Sequence, residues 1–189
     1  MNSKVKNMVG ISLFTAIVVV LQLLGGAIRV GGLFSISLVL VPIVVGAAVY
    51  GWAAGGFLGL AFGAAVLLSG DAAPFMAISI PGTILTVLLK GTLCGLGAGL
   101  IYKLLSRWNR LVAVLGAAMV CPLLNTGIFL LGCKLFFYDT ICLWAAEAGF
   151  ANAAGYMFLG LAGINFIVEL VTNMVLAPVI SRLIRIGRK

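Results

Sequence analysis

The sequence predicts an all-α integral membrane protein that folds as a compact bundle of about six transmembrane helices, with both termini in the cytoplasm. Three observations predict this class. Of the 189 residues, 63% are hydrophobic and only 8% are charged, the mean hydropathy is +1.29, and long apolar runs recur along the chain. A soluble domain needs more polar surface than this, and apolar runs of about 18 residues or more are typical of bilayer spans.

The apolar runs divide a single transmembrane domain, residues 1–189, into six predicted spans. Each is assigned from the roughly 20 residues that a helix needs to cross a bilayer, and the second is expected to be short or tilted. The predicted spans are about 8–28, 35–50, 52–70, 82–105, 111–137 and 154–180.

The placement of lysine and arginine predicts the orientation. With a cytoplasmic N-terminus, the inner segments hold basic residues and no acid: Lys4, Lys6, Lys103, Arg107, Arg110, Arg182, Arg185, Arg188 and Lys189. The outer loops hold Arg29 and Lys134 together with Asp71, Asp139 and Glu147. This asymmetry follows the positive-inside rule, and an even number of spans returns the C-terminus to the cytoplasm. The net charge of +8 therefore indicates topology and contact with anionic lipid, not nucleic-acid binding.

Glycines recur every four residues in the predicted third and fourth spans. They are Gly51, Gly55, Gly59 and Gly63, followed by Gly91, Gly95 and Gly99. This spacing stacks them on one helix face, where another backbone can approach closely. Packing inside the bundle is the main interpretation, and a sliding contact with a partner or a pocket wall is the alternative.

Two charged residues lie inside predicted spans. Lys90 lies about 12 Å below the outer end of its helix, at 1.5 Å per residue, and Glu169 lies deep in the sixth span. A charge at the bilayer centre costs at least about 2.5 kcal/mol, so such residues normally face the bundle interior and are paired. Asn165, Glu169 and Asn173 form one row at four-residue spacing, and Asn125 lies at a depth similar to that of Asn165. A structural Lys90–Glu169 pair and a polar pocket open to the outside both fit this pattern.

Other classes of protein lack their sequence signals. There is no GxxxxGK[ST] phosphate loop, no histidine, and no CxxC spacing among the four cysteines, so ATP binding, a metal centre and a disulfide framework are not indicated. The cysteines are interpreted as buried apolar residues. A self-sufficient secondary transporter, which would usually show inverted repeats, and a structural membrane scaffold remain alternatives.

Several stretches resemble the substrate-binding S components of energy-coupling factor (ECF) vitamin transporters. They are the short basic start, the stretch ISLVLVPIVVGAAVYG at 36–51, the stretch GGFLGLAFG at 55–63, and the asparagine-bearing sixth helix. The resemblance covers nearly the whole chain. It implies a multi-pass subunit of a prokaryotic cell membrane that captures a water-soluble vitamin and has no cofactor or ATPase activity of its own.

The resemblance also implies roles for particular residues. Lys90 would meet an anionic or carbonyl group of the vitamin, Asn125 and Asn165 would orient its polar edges, and Glu169 would hold Lys90 or accept a ligand hydroxyl. The outer-loop aromatic residues that would cover the site are Phe75, Tyr138 and Trp144. Pantothenate is the first candidate because a lysine suits its carboxylate, and riboflavin is the next.

The partners implied by the resemblance are one transmembrane coupling subunit and two ATPase subunits. S components commonly dock on the coupling subunit through small residues at four-residue spacing in the first helix. Here Ser12 and Ala16 match that pattern, while Val20 departs from it. Close helix approach through small residues makes this face the expected docking surface.

Overall fold

The computed structural model describes residues 3–27, 29–30, 34–35 and 38–187, and most of them are helical. Ile28, Ile36, Arg188 and Lys189, which entered the sequence interpretation, lie outside the described residues. The elements in chain order are α1 (Ser3–Ala27), β1 (Arg29–Val30), β2 (Phe34–Ser35), α2 (Leu40–Tyr50), α3 (Trp52–Ser69), α4 (Ala73–Met76), α5 (Ile80–Leu105), α6 (Arg110–Phe136), α7 (Tyr138–Glu147), α8 (Ala153–Gly155), the π-helix π1 (Tyr156–Gly163), α9 (Ile164–Val175) and α10 (Ala177–Gly187). The two strands pair antiparallel, with Arg29 opposite Ser35.

Four helices, α1, α3, α5 and α6, are long and apolar enough to cross a membrane. The segments Ala153–Gly163 and Asn165–Val175, which meet at a bend of about 40°, can together supply a fifth span. The described residues therefore support four or five spans, and six spans stay a prediction. The cytoplasmic location of both termini also stays a prediction, because it depends on an even number of crossings.

The second and sixth predicted spans differ most from the observed elements. The second was expected to begin near Ser35, but Phe34–Ser35 forms β2 and the helix begins only at Leu40. Its 11 residues rise about 16 Å, roughly half the hydrocarbon thickness. The sixth was expected to be continuous over 154–180, but it is divided into π1, α9 and the start of α10. The sequence of this region is mostly apolar, and hydropathy does not report such breaks.

Glycines and capping side chains define several helix ends. Gly51 separates α2 from α3 with φ 98°, and Gly70 ends α3 with φ 82°, backbone conformations that glycine adopts at little cost. The Ser79 hydroxyl accepts a hydrogen bond from the Gly82 N–H at the start of α5. The Asn109 side chain accepts one from the Leu111 N–H at the start of α6. These caps satisfy backbone donors that have no partner inside the helix.

The two rows of glycines bring α3 and α5 into backbone contact. A methyl group added at Gly55 would lie 2.5 Å from the Gly95 carbonyl oxygen, and one added at Gly63 would lie 2.8 Å from the Val87 oxygen. Gly59 meets the Gly91 carbonyl even more closely. The structure confirms packing inside the bundle for the glycines from Gly55 onward, but not for Gly51, which is exposed and has no atom within 4 Å of an added methyl group.

The centre of the core surrounds α2, which packs against α1, α3, α5, α6 and α10. Its apolar side chains are buried on nearly all sides, as expected for a helix inside a bundle. Cys94, Cys121 and Cys133 are buried, but Cys142 is exposed. The prediction that all four cysteines are buried is wrong for Cys142, because α7 lies on the surface at that position.

Candidate ligand-binding site

A partly polar cavity of about 160 Å³ lies between α3, α5, α6 and the π1–α9 segment. Asp71, which precedes α4, and Phe75 within α4 also line it. Lys90 contributes from α5, Asn125 and Thr126 from α6, and Asn165 from α9. Four separate segments therefore direct polar side chains into one space, which is the usual composition of a small-molecule site.

The ammonium group of Lys90 lies between two aromatic rings. Its Nζ atom is 5.8 Å from the centroid of the Phe62 ring and 5.3 Å from that of the Phe129 ring. Both distances lie within the range of cation–π attraction. Among the described residues, no carboxylate oxygen lies within 4.0 Å of this nitrogen. The Lys90 charge thus faces the cavity without a direct ion pair.

Glu169 is held by amides. Its carboxylate accepts hydrogen bonds from Asn125 Nδ2 at 3.3 Å and from Asn165 Nδ2 at 3.4 Å, and its backbone oxygen accepts one from Asn173 Nδ2 at 2.8 Å. The residue is only 2% exposed. The predicted row of Asn165, Glu169 and Asn173 is therefore one hydrogen-bonded unit. Within the described chain, Glu169 contacts these amides and not Lys90.

Asn125 connects the buried carboxylate to the cavity wall. It is 5% exposed and lines the cavity while donating to Glu169. Its Oδ1 atom is buried and has no hydrogen-bond partner among the residues that the structure describes. A buried amide oxygen without a partner costs about 1–3 kcal/mol, which makes Asn125 a candidate acceptor for a donor group of a ligand.

Asp71 is a further cavity residue that the sequence interpretation did not assign to the site. Its Oδ2 atom accepts hydrogen bonds from Gln22 Nε2 at 2.7 Å and from the Ser69 hydroxyl at 3.0 Å. Gln22 belongs to α1 and is almost completely buried. The first helix thereby fixes the position of a carboxylate at the edge of the cavity.

An aromatic cluster lies beside the cavity, which two of its members, Phe75 and Phe129, line. The Phe75 ring lies 5.5 Å from that of Phe129, 5.2 Å from that of Phe137 and 5.7 Å from that of Trp144, measured between centroids. Beyond Phe75 is a wider vestibule of about 510 Å³, which Trp144 and Tyr156 also line. Phe75 and Leu161 line both spaces and therefore lie at the boundary between the cavity and the vestibule.

The other predicted residues lie elsewhere. Tyr138 is exposed and lines a groove on the far side of α6 together with Lys134, so the structure does not bring it to the cavity. Ser12 and Ala16 are exposed on α1. The structure thus brings together Lys90, Asn125, Asn165 and Glu169. Phe75 lines the same cavity, and Trp144 contacts the Phe75 ring from the vestibule.

Sequence reasoning missed Phe62, Phe129, Thr126 and Asp71. One signal could have identified Phe129: it follows Asn125 by four residues and so shares its helix face. Phe62 carried no such signal, because an aromatic residue in an apolar span looks the same whether it faces lipid, core or cavity. Asp71 is marked by its position directly after the glycine that ends α3.

The arrangement can bind an anionic group at Lys90 and hydrogen-bonding groups at the asparagine amides. No group of three histidine, cysteine or acidic side chains that could hold a metal ion occurs in the described ranges. A family model described as "ECF transporter, substrate-specific component" matches residues 6–181. No curated protein and no solved structure matches the chain.

Proposed function

The chain belongs to the ECF transporter substrate-specific component family, and from this premise we propose that it captures a water-soluble vitamin with a carboxylate group at the outer face of a prokaryotic cell membrane. Members of this family are multi-pass, substrate-binding transport subunits, not ATPases, and they act with the other subunits of the ECF module. Pantothenate is the proposed ligand. Riboflavin, which has no carboxylate and would meet Lys90 through a ring carbonyl, is the second candidate.

The position of Lys90 carries this proposal. Its ammonium group is held by the faces of Phe62 and Phe129, so it is positioned and partly desolvated, and it lines the cavity. A carboxylate that enters the cavity can form a charge-assisted hydrogen bond with it, which is stronger than a bond between neutral groups. Asn125 and Asn165 also line the cavity and can orient hydroxyl or amide groups of the ligand.

The size of the cavity supports a slender ligand. Its volume of about 160 Å³ is below the roughly 300 Å³ at which sites for drug-sized ligands begin. A ligand therefore has to extend past Phe75 into the vestibule, whose wall includes Trp144. Pantothenate is linear and carries its carboxylate at one end, so it fits this shape better than the three fused rings of riboflavin.

The proposed partners are one coupling transmembrane subunit and two ATPase subunits. Ser12 and Ala16 are the proposed docking residues on α1, and the exposure of both side chains supports this role. Nearby exposed side chains on the same helix are apolar, including Leu13 and Val20, as expected for a helix that faces lipid or another membrane subunit.

Ligand binding by the purified protein tests the proposal. Pantothenate, riboflavin, thiamine and biotin would each be added while thermal unfolding is followed. At 100 times its dissociation constant, a ligand that binds only the folded protein stabilises it by about 2.7 kcal/mol. We expect this effect with pantothenate and a weaker or absent effect with the others.

The alcohol pantothenol, in which a hydroxymethyl group replaces the carboxylate of pantothenate, is the matched ligand. We expect it to bind at least about tenfold more weakly, since about 1.4 kcal/mol of interaction corresponds to a factor of ten. Equal binding of the acid and the alcohol would remove the carboxylate from the proposal. Binding of riboflavin alone would replace pantothenate and would also remove the carboxylate from the proposal. Binding of none of the four would contradict the capture of these vitamins.

A further inference from the structure

An apolar groove runs along the outer surface of the bundle between α6 and π1. It consists of two depressions of about 240 Å³ and about 450 Å³. Gly127, Leu130 and Phe158 line both depressions, so the two form one continuous groove. It does not belong to the cavity that contains Lys90, although its inner part lies directly behind that cavity.

The length of the groove matches one leaflet of a bilayer. It extends along α6 from Leu123 to Lys134, a rise of about 16 Å at 1.5 Å per residue. Half of the roughly 30 Å hydrocarbon core is about 15 Å. At Gly127 an added methyl group would meet no atom within 4 Å, so this glycine leaves the floor of the groove open.

The two ends of the groove differ in chemistry. Leu123 and Phe166 line the deep end, whereas Lys134 and Tyr138 line the end nearest α7. Both Lys134 and Tyr138 are exposed. An apolar channel that ends in a cation and a phenol is complementary to an acyl chain attached to an anionic headgroup.

We propose that this groove binds one acyl chain of an anionic phospholipid, with the phosphate of that lipid at the Lys134 ammonium and the Tyr138 hydroxyl. The chain would lie over Gly127 and against the exposed ring of Phe158. The lipid would also cover a thin part of the bundle wall, because Thr126 and Ala162 line both the groove and the polar cavity. A bound acyl chain would keep the boundary between that cavity and the bilayer filled.

Native mass spectrometry of the protein, purified from vesicles of phosphatidylglycerol and phosphatidylcholine, tests this site. We expect one phosphatidylglycerol molecule to be retained in preference to phosphatidylcholine. Gly127→Leu fills the floor of the groove and should abolish retention. Lys134→Gln should weaken it about fivefold, the factor that corresponds to about 1 kcal/mol for one basic residue near a membrane surface.

Two matched variants make the test specific. Lys103→Gln removes a lysine from the exposed end of α5, and Val112→Leu enlarges an exposed residue of α6 outside the groove. Both should retain the lipid as the unchanged protein does. If Lys103→Gln loses the lipid as much as Lys134→Gln does, the lipid is held by general charge attraction. If neither Gly127→Leu nor Lys134→Gln reduces retention, the proposed site is wrong. A dimer that is lost in Gly127→Leu would identify a second copy of the chain as the occupant instead.

Discussion

Replacing Lys90 by methionine and Glu169 by glutamine separates a ligand-binding role of these residues from a purely structural one. Lys90→Met alone leaves the buried Glu169 carboxylate without a nearby cation, and a single buried charge of this kind can destabilise the fold. The double variant leaves neither charge. If the two residues only stabilise the bundle, the double variant should fold and bind its vitamin with unchanged affinity.

The contacts of Lys90 predict a small effect on stability and a large effect on binding. Replacing Lys90 by methionine removes two cation–π contacts, each worth about 0.5–2 kcal/mol, but contacts of the methionine sulfur with the same rings contribute about 0.3–1.5 kcal/mol. It also removes an insertion cost of at least about 2.5 kcal/mol for the charge. Binding, in contrast, loses a charge-assisted hydrogen bond of about 1.5–3 kcal/mol, which corresponds to roughly tenfold to more than a hundredfold in dissociation constant.

Isothermal titration with pantothenate, together with thermal unfolding of each variant, measures both effects. Lys103→Met is the matched control, because Lys103 lies on the same helix and is exposed far from the cavity, and it should leave affinity unchanged. A double variant that is stable and binds with the affinity of the unchanged protein would refute the reasoning. Recognition would then be left to Asn125, Asn165 and the outer segments.

Three further predictions concern packing, topology and assembly. Gly59→Ala should destabilise the fold by about 1–3 kcal/mol or more, because the added methyl group overpacks against the backbone of α5. Gly127→Ala, where space is open, should not destabilise it, and thermal unfolding of the two variants measures the difference. A membrane-impermeant maleimide added to intact cells should label exposed Cys142, and labelling only after permeabilisation would reverse the proposed orientation. Ala16→Leu should block copurification of the coupling subunit without changing ligand affinity, whereas Ala146→Leu, at another exposed alanine, should change neither property. Unchanged copurification with Ala16→Leu would contradict the proposed docking face.

Hydropathy predicted the long helices well, because their ends coincide with strong local signals. The spans predicted at 52–70 and 111–137 agree with α3 and α6 within about a residue, since Gly51, Gly70 and Asn109 mark their boundaries. The region at 154–180 was predicted as one helix because it is long and mostly apolar, but the structure divides it into π1, α9 and the start of α10. Apolarity alone does not distinguish a continuous helix from a broken one.

The cost of placing a charge inside a bilayer made the candidate site partly predictable. Because of that cost, Lys90 and Glu169 were predicted to face the bundle interior. Four-residue spacing correctly predicted that Asn165 and Asn173 lie beside Glu169. The cation–π contacts of Lys90 were not predictable, because they depend on how α3 and α6 rotate relative to α5. Tyr138 was grouped with the site as an outer-loop aromatic residue, whereas it begins α7 and lines the groove behind α6. A position outside the spans does not specify on which side of the bundle a residue lies.

The hydrogen bond between Gln22 and Asp71 joins the proposed docking helix to the cavity. Ser12, Ala16 and Gln22 all belong to α1, and Asp71 lines the cavity. If docking on the coupling subunit shifts α1, the same movement acts on Asp71 and changes the affinity for ligand. Thermodynamic linkage makes this effect reciprocal: a docking contact that weakens ligand binding tenfold requires that bound ligand weaken docking tenfold. The chain would then favour the free state while loaded and the docked state once emptied.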